Sequence, residues 1–271
     1  MGILYMFSII DSIVLGIIQG ITEFLPISSS GHLIIARDIL GISQEGGLAF
    51  DAVLQLATAC AVLIYFRKDI FDLIKNIFTG FKDSSKNRLT LYLIIGTLPA
   101  LILGLFLSEL MDTVFRSTSI VSGTLILGSL IMWFADYSFQ KRNKKEHLTL
   151  FSSFIIGIFQ SFALLPGMSR SGMTISGGYF LGLTKEEAVR FSFLLSIPII
   201  TGSGLLQLIH IIENPLLVSG GFVVLISGFV SAFIFGWIAI DFLLKYLKTN
   251  TFKVFVVYRT LLAILLFSFF V

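Results

Sequence analysis

Six long stretches of this chain carry almost no charge, and that fact limits its fold more than any other. Residues 89–108, 117–135, 191–212 and 215–240 contain no Asp, Glu, Lys or Arg, while 50–66 and 254–271 are interrupted once each, by Asp51 and Arg259. A hydrocarbon core about 30 Å thick is crossed by on the order of 20 helical residues, so each stretch is a candidate span. Charged residues make up only 13% of the chain, against roughly 25% in a soluble domain, too few to clothe a water-soluble surface. The expected class is an all-α integral membrane protein forming a single membrane domain over residues 1–271. The N-terminus has no basic n-region or small-residue cleavage site, so no cleaved signal is expected. Cys60, the single cysteine, lies inside a span and excludes an intramolecular disulfide. Membrane lipids, and no nucleic acid, are the expected surroundings.

Displacing the sequence against itself by 141 positions aligns residues 16–43 with 157–184. Identities fall at Gly16/Gly157, Ile17/Ile158, Gln19/Gln160, Ser28/Ser169, Ser30/Ser171, Gly31/Gly172, Leu40/Leu181 and Gly41/Gly182. Shared Ile and Leu mean little in an apolar chain; paired Gln, Ser and Gly mean more. Each segment runs from an apolar half through a Pro and a Ser/Gly cluster, 26–31 or 166–172, into a second apolar half. Neither half is long enough to span. Irregular backbone at membrane depth is tolerated only where protein or a wet cavity satisfies it, so both segments read as re-entrant helix, loop, helix. The expected architecture is six transmembrane helices plus two re-entrant segments in two inverted repeats, 1–140 and 141–271.

Basic residues test that count. They gather in three connections: Arg67, Lys68, Lys75, Lys82, Lys86 and Arg88; Lys141, Arg142, Lys144 and Lys145; Lys245, Lys248 and Lys253. The other connections hold Arg116 near Glu109 and Asp112, and Glu213 before Asn214 and Pro215. Six spans put all three basic connections inside and both termini outside, in a multi-pass protein of the plasma (inner) membrane. Three spans then separate the re-entrant segments, so they enter from opposite faces and their loops should meet near the midplane.

The first loop reads QGITEFLPISSSGHL. Gln19 and Glu23, four apart, share a helix face. Pro26 should end that half-helix, and Ser28, Ser29 and Ser30 start the next, where unpaired N–H groups and the helix dipole suit an anion. His32 follows Ser29 by three residues and Ser28 by four, within reach of either hydroxyl. The second loop reads LLPGMSRSGMT: Gly167 and Gly172 permit close backbone approach, Ser169, Ser171 and Thr174 add hydroxyls, and Arg170 offers a fork suited to phosphate. A cation at that depth costs about 2.5–3.5 kcal/mol on insertion scales unless paired or wet. A Glu23–Arg170 salt bridge alone would fix the fold but leave the surrounding Ser, Thr and His groups unexplained. Gly31, Gly172, Ser176, Gly177 and Gly178 serve helix packing equally well. Asp51 and Gln55 line the cavity or mark an interface, Arg259 is expected to snorkel, His210 lies near a span end, and Asp11 has no evident partner. Lys185, Glu186, Glu187 and Arg190 read as a solvated connection.

These two loops resemble the signature motifs of the undecaprenyl-diphosphatases, integral membrane enzymes associated with bacitracin resistance, and the resemblance extends over nearly the whole chain. It implies hydrolysis of a polyprenyl diphosphate to the monophosphate carrier lipid plus phosphate, recycling the carrier for cell-wall synthesis, with a divalent cation, Mg²⁺ or Ca²⁺. The family's (E/Q)xxxE motif is met by Gln19 and Glu23; because Gln19 cannot be an anionic ligand, the metal or base role moves to Glu23. The motif serine and histidine fall on Ser29 and His32 and the phosphate-binding arginine on Arg170. His32 would deprotonate Ser29 or a water; the sequence leaves both open. A homodimer rests on the family alone. The competing reading is a polyprenyl-phosphate transporter or flippase, since inverted repeats with broken helices also mark transporters.

Overall fold

The computed structural model describes residues 8–42, 47–79, 84–113, 118–142, 146–213 and 221–270. Lys82, Arg116, Lys144, Lys145, Asn214 and Pro215 lie outside the described residues, as do the side chains of Glu109, Asp112 and His210. The described chain is helical apart from one isolated bridge, Glu146 to Leu183. Its helices are α1 (Ile9–Phe24), α2 (Ser29–Leu40), α3 (Gly47–Tyr65), α4 (Arg67–Phe78), α5 (Ser84–Thr113), α6 (Thr118–Lys141), α7 (Leu150–Phe162), α8 (Arg170–Phe180), α9 (Lys185–Glu213), α10 (Gly221–Thr249) and α11 (Lys253–Phe270).

Among the described residues, four segments are long and apolar enough to cross a bilayer: Ser85–Leu107, Ser119–Lys141, Lys185–Leu206 and Gly221–Thr249. A fifth span arises if Phe50–Tyr65 and Arg67–Phe78, bent by 79° at Phe66, count as one. Large apolar side chains such as Phe106 on α5 (81% exposed) and Phe222 on α10 (75%) point away from the protein. In water such surfaces would drive association; against lipid they cost nothing. This is a multi-pass membrane protein.

With lipid tails as apolar as leucine, helices associate through close packing of small residues. α1 lies along α10 on that basis. A Cβ on Gly16 would sit 1.9 Å from Ser231 Oγ, and one on Gly20 would sit 2.6 Å from the Ala232 carbonyl oxygen. α7 meets α5 the same way, with Gly157 pressed on the Gly96 carbonyl, where a Cβ would come within 2.4 Å. Gly177 packs on the Phe159 ring and Gly178 on Ala188, which settles their role as packing.

Several polar residues stand differently from the sequence expectation. Asp11 has a partner: it closes a capping box at the start of α1, accepting from the Ser8 backbone N–H at 2.8 Å and hydroxyl at 2.7 Å. Asp51 pairs with buried Arg37, tying α2 to α3. Residues 185–190 are not a solvated connection but the first turns of α9, opened by Thr184 and Glu187 and braced by an Arg190–Asp69 ion pair to α4. α4 itself lies within the first basic connection.

Candidate active site

The halves of each broken segment end and restart where the turn chemistry requires. α1 stops at Phe24, before Pro26, whose ring pushes the preceding residue out of the helical region. α2 restarts after Ser28, and α8 restarts after Ser169. These two serines are the only positive-φ residues other than glycine among the described residues, at φ 74° and 72°. Each side chain accepts from the N–H three residues on, Gly31 at 3.4 Å and Gly172 at 3.3 Å. Each also pairs with the serine two residues on, Ser30 or Ser171, at 3.3 Å. A side-chain-bearing residue at such φ costs about 1–3 kcal/mol, and strain of that size persists at sites where it serves a purpose. At both caps the first helical N–H groups of α2 and α8, those of Ser29, Ser30, Arg170 and Ser171, have no protein partner among the described residues.

The two loops interlock. The Gly167 N–H donates to Ser28 Oγ at 3.1 Å, and Ser171 Oγ donates to the Leu25 carbonyl at 3.2 Å. Gly167 holds φ 97°, and a Cβ there would fall 2.0 Å from Thr124 Oγ1, so only glycine fits. At the centre stands Glu23, 8% exposed. Its Oε1 receives Arg170 Nη2 at 2.6 Å, and its Oε2 receives both Ser29 Oγ at 2.7 Å and Gln19 Nε2 at 2.8 Å. Gln19, Glu23, Ser28, Ser29, Ser30, Gly167, Ser169, Arg170 and Ser171 are thereby brought together. Thr174 stands a turn further along α8, its hydroxyl engaged by the Arg170 carbonyl at 2.8 Å and by Ser192 at 2.5 Å. His32 does not bond Ser29: its Nδ1 lies 2.7 Å from the Ser28 carbonyl and its Nε2 lies 2.6 Å from Tyr258 Oη.

Arg259 departs furthest from expectation. It does not snorkel; it is fully buried. Its guanidinium donates to the carbonyls of Pro26 at 3.3 Å, Gly167 at 2.9 Å and Leu125 at 3.2 Å, and its Nε donates to Ser129 Oγ at 3.1 Å. One side chain from α11 thus clamps both loops from behind. The signal was present in the sequence, because an arginine inside an apolar span is a functional candidate by default.

A divalent cation is tested by the oxygens on offer. Among the described residues no group of three or more His, Cys, Asp or Glu could hold an ion. Beside Glu23, however, the Gln19 Oε1 is buried with no hydrogen-bond partner. A carboxylate and an unpartnered amide oxygen on one helix face are oxygen donors of the kind a hard cation takes.

A family model described as bacitracin resistance protein BacA matches residues 12–265. The undecaprenyl-diphosphatase of Myxococcus xanthus (strain DK1622) is 43% identical over 264 residues, covering 96% of this chain and 88% of that protein. Similar proteins under the same name occur in Chloroherpeton thalassium (strain ATCC 35110 / GB-78), 42% identical over 272 residues and 96% of each chain, and in Methanosphaera stadtmanae (strain ATCC 43021 / DSM 3091 / JCM 11832 / MCB-3), 37% identical over 274 residues, covering 96% of this chain and 97% of that protein. With matches at this identity running almost end to end, the chain belongs to the BacA, or undecaprenyl-diphosphatase, family.

Proposed function

We propose that this chain is an undecaprenyl-diphosphatase, releasing inorganic phosphate and the monophosphate carrier lipid, and so confers bacitracin resistance, with Glu23, Ser29 and Arg170 at the centre of its reaction. The observation that carries the assignment of residues is the shared carboxylate. Glu23 accepts from a hydroxyl nucleophile on one oxygen and from an anion-binding guanidinium on the other, at 2.7 and 2.6 Å.

A diphosphate competes with Glu23 for Arg170, whose fork suits phosphate oxygens. As Glu23 takes the Ser29 proton, Ser29 Oγ attacks the terminal phosphorus and the bond to the bridging oxygen breaks. The lipid monophosphate leaves with that electron pair. Water then attacks the phosphoserine, its proton passing to His32, and phosphate departs as Ser29 Oγ takes back its proton from Glu23. The unpaired N–H groups of Ser29, Ser30, Arg170 and Ser171 hold the charge that builds on phosphate oxygens. Gln19 and Glu23 would hold a Mg²⁺ or Ca²⁺, which supplies further neutralisation of the diphosphate when bound.

The same reading takes the chain as six spans and two re-entrant segments in inverted repeats, with both termini outside. Its support is the pairing of equivalent elements: strained Ser28 with strained Ser169, left-handed Gly41 with left-handed Gly182, and α1 on α10 with α7 on α5.

Phosphate release from a long-chain polyprenyl diphosphate in detergent tests this. Wild type should turn over and stop in EDTA, with Arg170→Ala and Ser29→Ala slower by about a hundredfold or more. No release under any divalent cation, with lipid binding retained, would overturn the enzyme reading in favour of a transporter.

A further inference from the structure

His32 is held between two partners that fix its chemistry. A carbonyl oxygen can only accept, so the contact of Nδ1 with the Ser28 carbonyl at 2.7 Å puts the ring hydrogen of the neutral imidazole on Nδ1. Nε2 then carries the single lone pair, and Tyr258 Oη donates to it at 2.6 Å. The two rings lie within 10° of parallel, with centroids 5.6 Å apart. Tyr258 comes from α11, next to Arg259, whose four hydrogen bonds anchor that helix against both loops. Its hydroxyl is therefore placed by the clamp that places the loops. Tyr258 is also 42% exposed, so the pair reaches the protein surface.

An imidazole with one lone pair cannot accept from a tyrosine and from a water together. Either the hydroxyl moves aside when His32 acts as a base, or the proton reaches His32 through it. We propose that Tyr258 is a further residue of the proton path: its oxygen receives the proton of the hydrolytic water while its own proton passes to His32 Nε2. A phenol oxygen keeps lone pairs for an incoming water while its hydrogen is donated. As the new P–O bond forms and the Ser29–phosphorus bond breaks, one proton enters the phenol and one leaves it, so Tyr258 ends unchanged and His32 ends protonated. The hydrogen bond then runs from Nε2–H to the phenol oxygen without either ring turning. Return of that proton along the same hydrogen bond resets the site. This rests on His32 serving as the base of the hydrolytic step, as proposed above.

Tyr258→Phe removes the hydroxyl and keeps the ring. In detergent-solubilised full-length protein, with a long-chain polyprenyl diphosphate, kcat should fall about ten- to a hundredfold with KM and thermal midpoint unchanged. In a His32→Ala background the same change should have no further effect. Tyr258→Phe with wild-type or higher kcat, while His32→Ala is impaired, would mean that the hydroxyl only covers the lone pair, and overturns the relay alone. Equal losses from Tyr258→Phe in both backgrounds would also overturn it, since a merely structural tyrosine acts independently of His32. His32→Ala with full activity would instead remove the assignment of His32 on which the relay depends.

Discussion

Glu23 holds three donors at once, and each bond pulls toward a different task. Ser29 and Gln19 share one oxygen while Arg170 takes the other, so the carboxylate proposed to activate the nucleophile also covers the guanidinium proposed to bind phosphate. Glu23→Gln should separate these roles. Without a base, kcat should drop by about 10²-fold or more. In EDTA, where no cation assists, Arg170 is freed of its anionic competitor, and a polyprenyl diphosphate should bind more tightly than to wild type in a lipid-binding titration. Weaker binding of the variant in EDTA would mean that Glu23 does not compete for Arg170. The meeting of Gln19, Glu23, the serines and Arg170 was legible in the sequence because spacing and type both pointed inward. The partner of His32 was not, because Tyr258 lies 226 residues away and looks like any interfacial tyrosine. The burial of Arg259 was not legible for a physical reason: an arginine inside an apolar span can snorkel or be buried, and only the carbonyls of the two loops that bond it decide between them.

At the scale of helices, the site depends on how closely α1 can approach α10. Gly20 lies one turn before Glu23, and a Cβ there would collide with the Ala232 carbonyl and come within 2.7 Å of the Gly236 nitrogen. Those atoms are backbone and cannot step aside, so Gly20→Ala should push α1 away and carry Gln19 and Glu23 with it. A fall in thermal midpoint in detergent together with at least a tenfold loss of phosphatase activity is the expected outcome. Gly123→Ala on α6, where nothing lies within 4 Å of a Cβ, should be neutral or raise stability by up to about 1 kcal/mol through helix propensity. Equal effects from both would mean that close approach of α1 and α10 is not what holds the site. Half-helix boundaries were legible because Pro26 and the Ser/Gly clusters punctuate them. α4 was not, since its charges read as a connection; its helical period shows only once Ile70, Leu73 and buried Asn76 are seen on one face with Phe71, Ile74 and Phe78 on another.

For the whole molecule, everything rests on the number of crossings between the two loops. An odd number, as proposed above, would bring them in from opposite sides; an even number would stack both loops on one side. Length and composition give four or five spans, with α11 an 18-residue helix that begins at Lys253. Its crossing can be tested at its two ends. A reporter that fluoresces only on the inner side, fused after Asn250 in a chain truncated there, should be bright, because Lys245 and Lys248 lie just before the fusion point. The same reporter after Val271 should be dark, and a phosphatase reporter active only outside should be active there. Brightness at both positions would mean that α11 does not cross. Arg259 would then have to reach Pro26, Gly167, Leu125 and Ser129 from a helix lying at the inner face, and the crossing proposed for α11 would be overturned. The buried arginine and the orientation of the C-terminus are therefore tested together: an α11 that passes through the membrane beside both loops carries the clamp and puts the C-terminus outside, as proposed above.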